Sequence, residues 1–292
     1  MADVRFALRC WAALLLALAS LAQAQAVTDD RGVAVALAQP PHRIVTILPS
    51  LGEIVCELGA CDRLVGVDDY ADWPAAVQHL PRVGGVDPSI ERIVALKPDL
   101  VLLPASSRAI PRLHELGVTV FGVQLKTFAD LHRTLLNVGK LLQAPGAPVV
   151  WERIERSIAG AARRLPPGTR GTTVYFEVSN GPYAASESSH IGELLSALGL
   201  VNVVPGRLGS VPKLNPEFVV RADPQVIFIA AGAVQPIAQR PGWNRIRAVR
   251  DGRVCELSRD QSDVVVRLGP RLAQAAQVLV GCLQQRGGGK PS

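Results

Sequence analysis

The sequence predicts an α/β fold of two lobes, each a parallel sheet with helices on its faces, joined by one long backbone helix. Three observations carry that expectation. One pattern occurs twice, as Glu91-Arg-Ile-Val-Ala-Leu-Lys-Pro98-Asp-Leu-Val-Leu-Leu103 and as Glu217-Phe-Val-Val-Arg-Ala-Asp-Pro224-Gln-Val-Ile-Phe-Ile229. In each copy a Glu opens a short amphipathic helix, a Pro ends it, and an apolar strand follows. Proline lacks the N–H that a helix interior uses and biases its predecessor out of the helical region. A second echo, Leu51-Gly52-Glu53-Ile-Val-Cys-Glu-Leu-Gly59 against Ile191-Gly192-Glu193-Leu-Leu-Ser-Ala-Leu-Gly199, keeps the same order. Repeats in the same order imply two similar units. Elsewhere strands alternate with helices, the pattern of a parallel sheet. The middle of the chain breaks that alternation with two successive helices.

In chain order, residues 25–42 show little periodicity and are expected to form a leading strand or arm. Arg43 to Leu48 is a short apolar strand, followed by a helix over Leu51–Leu58 that stops at Gly59, a residue suited to a left-handed helix end. Leu64–Val67 is a strand, and Asp68 to Pro74 is the loop beyond it. After the first repeat, a helix over Arg108–Leu116 and a strand over Val118–Val123 complete an N-terminal lobe spanning 43–143. Phe128–Leu142 reads as one helix. Ala147–Leu165 reads as another, with Val150, Ile154, Ile158, Ala161 and Leu165 forming one apolar stripe. Such a helix is ~28 Å long at ~1.5 Å per residue, enough to link two lobes across 147–166. Thr172–Val178 opens the second lobe, spanning 171–285. It continues through the Ser179–Ser189 loop, the Ile191 helix, the second repeat and a helix beginning at Pro241-Gly-Trp243. A strand over Gly252–Leu257, a loop at Asp260–Asp263 and a terminal helix over Gly269–Gln285 close it, with Gly287–Gly289 as a frayed tail.

Arg5 and Arg9, the apolar run Trp11–Leu21 and Ala22-Gln23-Ala24 together read as a secretory leader over residues 1–24. The run is shorter than the ~20 residues a bilayer span needs. Cys10 precedes the run without small neighbours, unlike a lipid-attachment cysteine. No later stretch reaches spanning length, so the mature chain is expected to be soluble and exported. Removing Arg5, Arg9 and Asp3 lowers the formal charge of +6 by one, and the excess is spread along the chain. That argues against a nucleic-acid partner. Cys56, Cys61, Cys255 and Cys282 remain, an even set that in an exported chain reads as two disulfides. Zinc is the competing reading, but no Cys-x-x-Cys pair or His cluster accompanies them.

Catalytic and cofactor motifs are missing from the pattern: no Gly-x-Ser-x-Gly elbow, no His-Glu-x-x-His, no Gly-rich phosphate loop. The five histidines are scattered, so neither a metal site nor a resident cofactor is expected. Aromatic residues make up only 4% of the chain, so those in loops stand out. Tyr70 and Trp73 follow a lobe-one strand, Tyr183 lies in the matching lobe-two loop, and Trp243 follows the second repeat. Ligands of open parallel sheets bind beyond the carboxyl ends of the strands. Flat rings there suit a large, planar, partly apolar ligand. An enzyme working through Asp69, Asp72 and Asp263 is the reading from a different class. Glu91 and Glu217 are each favoured by a helix dipole. As a matched pair they also offer one negative point per lobe to a symmetric partner.

Arg43-Ile-Val-Thr-Ile-Leu-Pro-Ser50, the Tyr70–Pro74 loop, the Glu91–Leu100 stretch and the long middle helix resemble the class III periplasmic substrate-binding proteins of ABC importers, also called helical-backbone metal receptors. The likeness runs from about Arg43 to Gln284 and is greatest to the cobalamin-binding branch. It implies two Rossmann-like lobes on one rigid helix, a monomer, and a corrinoid or other metal-chelate ligand held between the lobes with limited hinge motion. It further implies that Glu91 and Glu217 dock on arginines of an ABC permease dimer. Tyr70 and Trp73 match a ligand-contacting loop, and Gly84, Gly85, Asp260 and Asp263 fall where further contacts are expected. Cobalamin receptors carry a Trp where this chain has Gly84–Ser89, and an aromatic pair where it has Asp260-Gln-Ser-Asp263. Leu198 and Val280 stand near positions where they carry cysteines. Heme or a ferric siderophore fits the same cleft, with Tyr70, Tyr183 or Arg267 as contacts.

Overall fold

The structure, a computed structural model, describes residues 26–179, 183–232 and 237–287; the expected leader and the extreme C-terminal tail lie outside these residues. The chain begins with a small antiparallel hairpin, β1 (Val27–Thr28) and β2 (Ala34–Val35), within the segment expected to form a leading strand or arm. Lobe one follows as β3 (Ile44–Thr46), α1 (Pro49–Glu57), β4 (Leu64–Val67), α2 (Ile90–Ala95), β5 (Leu100–Pro104), α3 (Ile110–Glu115) and β6 (Val120–Val123). Its sheet is wholly parallel in the order β4-β3-β5-β6. Ile44, Val45 and Leu100 through Leu103 have no exposed surface. Apolar runs buried on both faces are what helices on both sides of a parallel sheet require.

Two helices follow: α4 (Phe128–Leu142) packs on lobe one, against α1 and the hairpin, and α5 (Ala147–Arg163) links the lobes. Thr127 and Asp130 close a reciprocal capping box at the start of α4, and Gln143 ends it in the left-handed region at φ 53°. In α5 the stripe Val150, Ile154, Ile158 and Ala161 is buried, so its 17 residues pack along both lobes. Lobe two comprises β7 (Thr173–Ser179), β8 (Tyr183–Ala184), α6 (His190–Ala197), β9 (Val201–Asn202), α7 (Pro216–Ala222) and β10 (Val226–Ile229). It continues through α8 (Arg247–Arg250), β11 (Val254–Glu256), α9 (Arg259–Val266) and α10 (Leu272–Gly287). The parallel strands run β11-β10-β7-β9, with β8 added antiparallel on β7. In both lobes the first strand lies between the second and the third, and the fourth flanks the third. The repeat in the sequence is therefore a repeat in topology. Each lobe has its own smaller core on one sheet face, and a larger apolar cluster runs through both lobes along α5.

Three expectations change. Asp260 to Asp263 lie in α9, because Ser258 and Gln261 form a reciprocal capping box that starts a helix there. Pro241–Trp243 does not begin a helix: Gly242 turns at φ 77° into a short 3-10 turn, and α8 starts only at Arg247. The terminal helix begins at Leu272, beyond Gly269-Pro270. The cysteines pair as Cys56–Cys61 across the end of α1 and as Cys255–Cys282 between β11 and α10. Among the described residues no helix is long and apolar enough to cross a membrane.

Asp29 fastens the hairpin to lobe one. Its carboxylate accepts from the N–H groups of Arg31 (2.9 Å), Val33 (3.0 Å) and Gly122 (2.9 Å), and from Arg31 Nε at 2.6 Å. Burial pushes its pKa up, but the N–H donors of Gly122, Val33 and Arg31 outweigh burial and hold it below the ordinary value. A carboxylate lowered in this way stabilises the fold fully above its unfolded pKa of ~3.9, and loses that contribution as pH falls through the folded value. Asp29→Asn is expected to cost ~2 kcal/mol at pH 7. The gap between wild type and variant in urea unfolding should close below pH ~4.

Candidate functional site

The Asp68–Pro74 loop leaves the carboxyl end of β4, beside the first strand of lobe one. Its shape is locally enforced. Asp68 Oδ1 accepts from Tyr70 N at 2.9 Å, and Arg82 donates to the carbonyls of Asp68 (3.0 Å) and Ala71 (2.5 Å). Asp69 Oδ1 accepts from Gly84 N at 3.1 Å. Gly84 turns at φ +105°, and a Cβ there would press on the Pro88 backbone at 3.0 Å. A Cβ at Gly85 would lie 3.4 Å from Tyr70 Cε2, so that glycine lies directly against the tyrosine ring. The structure thus brings Tyr70, Trp73, Gly84 and Gly85 into one rim, on which Tyr70 is 68% and Trp73 46% exposed. Two exposed rings on one rim form a contiguous apolar patch of the kind that marks a ligand surface.

Lobe two meets this rim through two arginines that flank Gly269-Pro270. Arg267 bonds Asp72 Oδ1 at 2.5 Å and Asp263 Oδ2 at 3.2 Å, with Glu53 Oε1 at 3.9 Å. Arg271 bonds both Glu53 oxygens, at 2.5 and 3.0 Å, and its guanidinium lies 5.4 Å from the Trp73 ring centroid. Two guanidiniums and three carboxylates therefore interlock at the lobe seam. Burial dominates at Glu53 and raises its pKa against the pull of Arg271 and Arg267. Asp68 is likewise raised by burial. At Asp72 partial burial works upward, but Arg267 wins and the pKa is lowered. Glu53 and Arg271 escaped the sequence reading as site residues. Glu53 stood in plain view within the repeat, while nothing in the sequence signalled Arg271.

Of the other expected contacts, Tyr183 is 39% exposed and faces Lys213 of its own lobe, Nζ lying 6.0 Å from the ring centroid. Asp263 joins the seam, whereas Asp260 is an exposed first-turn residue of α9. Trp243 is only 1% exposed and belongs to the lobe-two core, between Tyr175 and Arg240. Asp72 and Asp263 share Arg267, and Asp69 holds a backbone N–H. The carboxylates of the enzyme reading are thus engaged as structural acceptors. Glu91 and Glu217 lie exposed in the first turns of α2 and α7. Its own backbone N–H, and then Ser89 Oγ donating at 3.0 Å, lower the Glu91 pKa. A separate groove lined by Val33, Ile110, His114 and Val118 lies at the opposite, amino-terminal edge of the lobe-one sheet.

The rim, the seam and the duplicated sheets fit one family. A family profile described as "Periplasmic binding protein" matches residues 44–260. The chain belongs to that family. This receptor is 28% identical over 268 residues to an uncharacterized ABC transporter substrate-binding lipoprotein of Bacillus subtilis, covering 87% of this chain and 83% of the relative. It is 27% identical over 230 residues to a vitamin B12-binding protein of Vibrio cholerae, covering 76% and 82% of the two chains. In structure it resembles a periplasmic heme-binding protein from Pseudomonas aeruginosa, with a TM-score of 0.69 and 25% identity over 86% of this chain and 95% of that one. The receptor is a class III substrate-binding protein of ABC importers, and its family consists of transport receptors.

Proposed function

We propose that this receptor is exported by its leader, works in the periplasm as a monomer, and captures cobalamin or a related corrinoid between its lobes. It then delivers the ligand to an ABC permease dimer through Glu91 and Glu217. The observation that carries the reading is the open aromatic rim: Tyr70 and Trp73 stand exposed at the lobe seam in a chain with few aromatic residues. Tyr183, Gly84, Gly85 and Asp263 would complete the contacts. The likeness to a vitamin B12-binding protein supports the same choice. The test is calorimetry of the mature protein with cyanocobalamin, hemin and ferric siderophores. Tight one-to-one binding of cyanocobalamin is expected, weakened about thirtyfold or more by Trp73→Ala, as for a central aromatic anchor. Silence toward cyanocobalamin would end the corrinoid reading.

A second reading is a heme or ferric-siderophore receptor. The exposed Tyr70 phenol favours it, because a phenolate is a hard ligand for iron, as does the likeness to a heme-binding protein. Hemin binding lost in Tyr70→Phe, with cyanocobalamin inert, would select it.

A further inference from the structure

The Gly-Glu pair within the second echo, Gly52-Glu53 and Gly192-Glu193, marks duplication in the sequence. In three dimensions it does more. Each glycine lets its helix seat closely. A Cβ at Gly52 would lie 3.3 Å from Thr46 Oγ1, and one at Gly192 would collide with the Ser186 carbonyl. Each glutamate then leaves its own lobe. Glu53 of α1 reaches Arg271, the residue before α10 of lobe two, at 2.5 and 3.0 Å. Glu193 of α6 accepts from the N–H of Phe128, the first residue of α4, at 2.6 Å.

The two contacts correspond. α4 follows the last strand of lobe one, and α10 is the last helix of lobe two, so each glutamate meets the start of the closing helix of the opposite lobe. The approach at Glu53 is close: a Cβ at Gly269 would lie 3.2 Å from Ser50 Cβ and 3.3 Å from Glu53 Oε2. Arg271, held by Glu53, is also the guanidinium against Trp73.

We infer that Glu53 and Glu193 form a matched interlobe clamp that sets the cleft width before ligand arrives, and so act as positioning residues for the aromatic rim. The purpose of the cleft rests on the receptor reading; the clamp itself is measurable without ligand. Spin labels are placed on Leu116→Cys in lobe one and Val201→Cys in lobe two, both exposed in the structure, while the four cysteines of the described residues stay in disulfides. The ligand-free parent should give a narrow interlobe distance distribution. Glu193→Ala should broaden it, and Glu53→Ala/Glu193→Ala should broaden it further.

Glu193→Gln keeps an oxygen that accepts from Phe128 N–H and should restore the narrow distribution, a rescue that a charge-based role would not allow. Whichever of cyanocobalamin and hemin binds the native protein should bind the double variant roughly tenfold more weakly, because only part of the population presents the competent cleft. Glu193→Ala removes an acceptor from one backbone N–H, which keeps the test open should the double variant misfold. An unchanged distribution in folded Glu193→Ala overturns the clamp, as does Glu193→Gln behaving like Glu193→Ala. If neither probe binds the native protein, the receptor reading fails alone, and the distances still decide the clamp.

Discussion

With both proposed docking charges reversed, as Glu91→Arg/Glu217→Arg, the receptor is expected to bind its ligand with unchanged affinity and fail to drive uptake. Both carboxylates stand exposed in the first turns of α2 and α7, each placed just before the third strand of its lobe. Neither makes an ion pair with a described residue, and among described side chains Glu91 accepts only from Ser89, so both carboxylates are exposed and unpaired among the described residues. A single exposed ion pair contributes little. Two pairs at fixed separation select one orientation on a two-fold permease, and they act mostly on encounter and register. Reversal replaces two attractions with two repulsions. Docking should weaken roughly a hundredfold, and each single reversal about tenfold. The measurement is ligand-stimulated ATP hydrolysis by the permease in proteoliposomes, beside calorimetry of the free receptor. Normal stimulation by the double variant would remove both glutamates from the interface. Loss of ligand affinity would instead mean that the substitutions disturb the lobes.

The lobes were legible because their markers are local. A Glu, a Pro seven residues later and an apolar run describe helix, stop and strand without reference to the rest of the chain. The bounds of α4 match the expected Phe128–Leu142; in the structure the Thr127–Asp130 capping box starts it and Gln143 ends it in the left-handed region. Two-residue strands such as β8 and β9 carry no period and left no trace in the pattern. The α9 helix was hidden by its composition, Asp260-Gln-Ser-Asp263 reading as loop, although Ser258 and Gln261 held the capping signature. Tyr70 and Trp73 stood out as aromatics in an acidic, Pro-ended loop. The seam beneath them did not, because Glu53 and Arg271 are 218 residues apart, and Asp72 and Arg267 are 195. Only the packing of two lobes on α5 brings those pairs together.

Trp243 failed as a cleft aromatic for a reason that makes its own prediction. It closes a buried charge cluster in lobe two. Arg240 forms a bidentate pair with Glu177 at 2.6 and 2.8 Å, and its guanidinium stacks 4.5 Å from the Trp243 centroid. Tyr175 O–H donates to Glu177 at 3.3 Å and meets Trp243 edge-on, at 80°. Burial, with Glu177 adding to it, pushes the Tyr175 pKa up, so the phenol stays protonated and remains a donor. Arg240→Ala takes the guanidinium away from a carboxylate that is 1% exposed. Breaking one side of such a pair costs ~3–5 kcal/mol, because the remaining charge keeps its desolvation and loses its partner. Thermal unfolding should move down by about 10 °C. Glu177→Leu/Arg240→Met removes both charges at similar volume and should recover most of that loss. Equal destabilisation by the single and double variants would place the energy in the stacking on Trp243 instead, and recovery in the double variant would place it in the unpaired carboxylate.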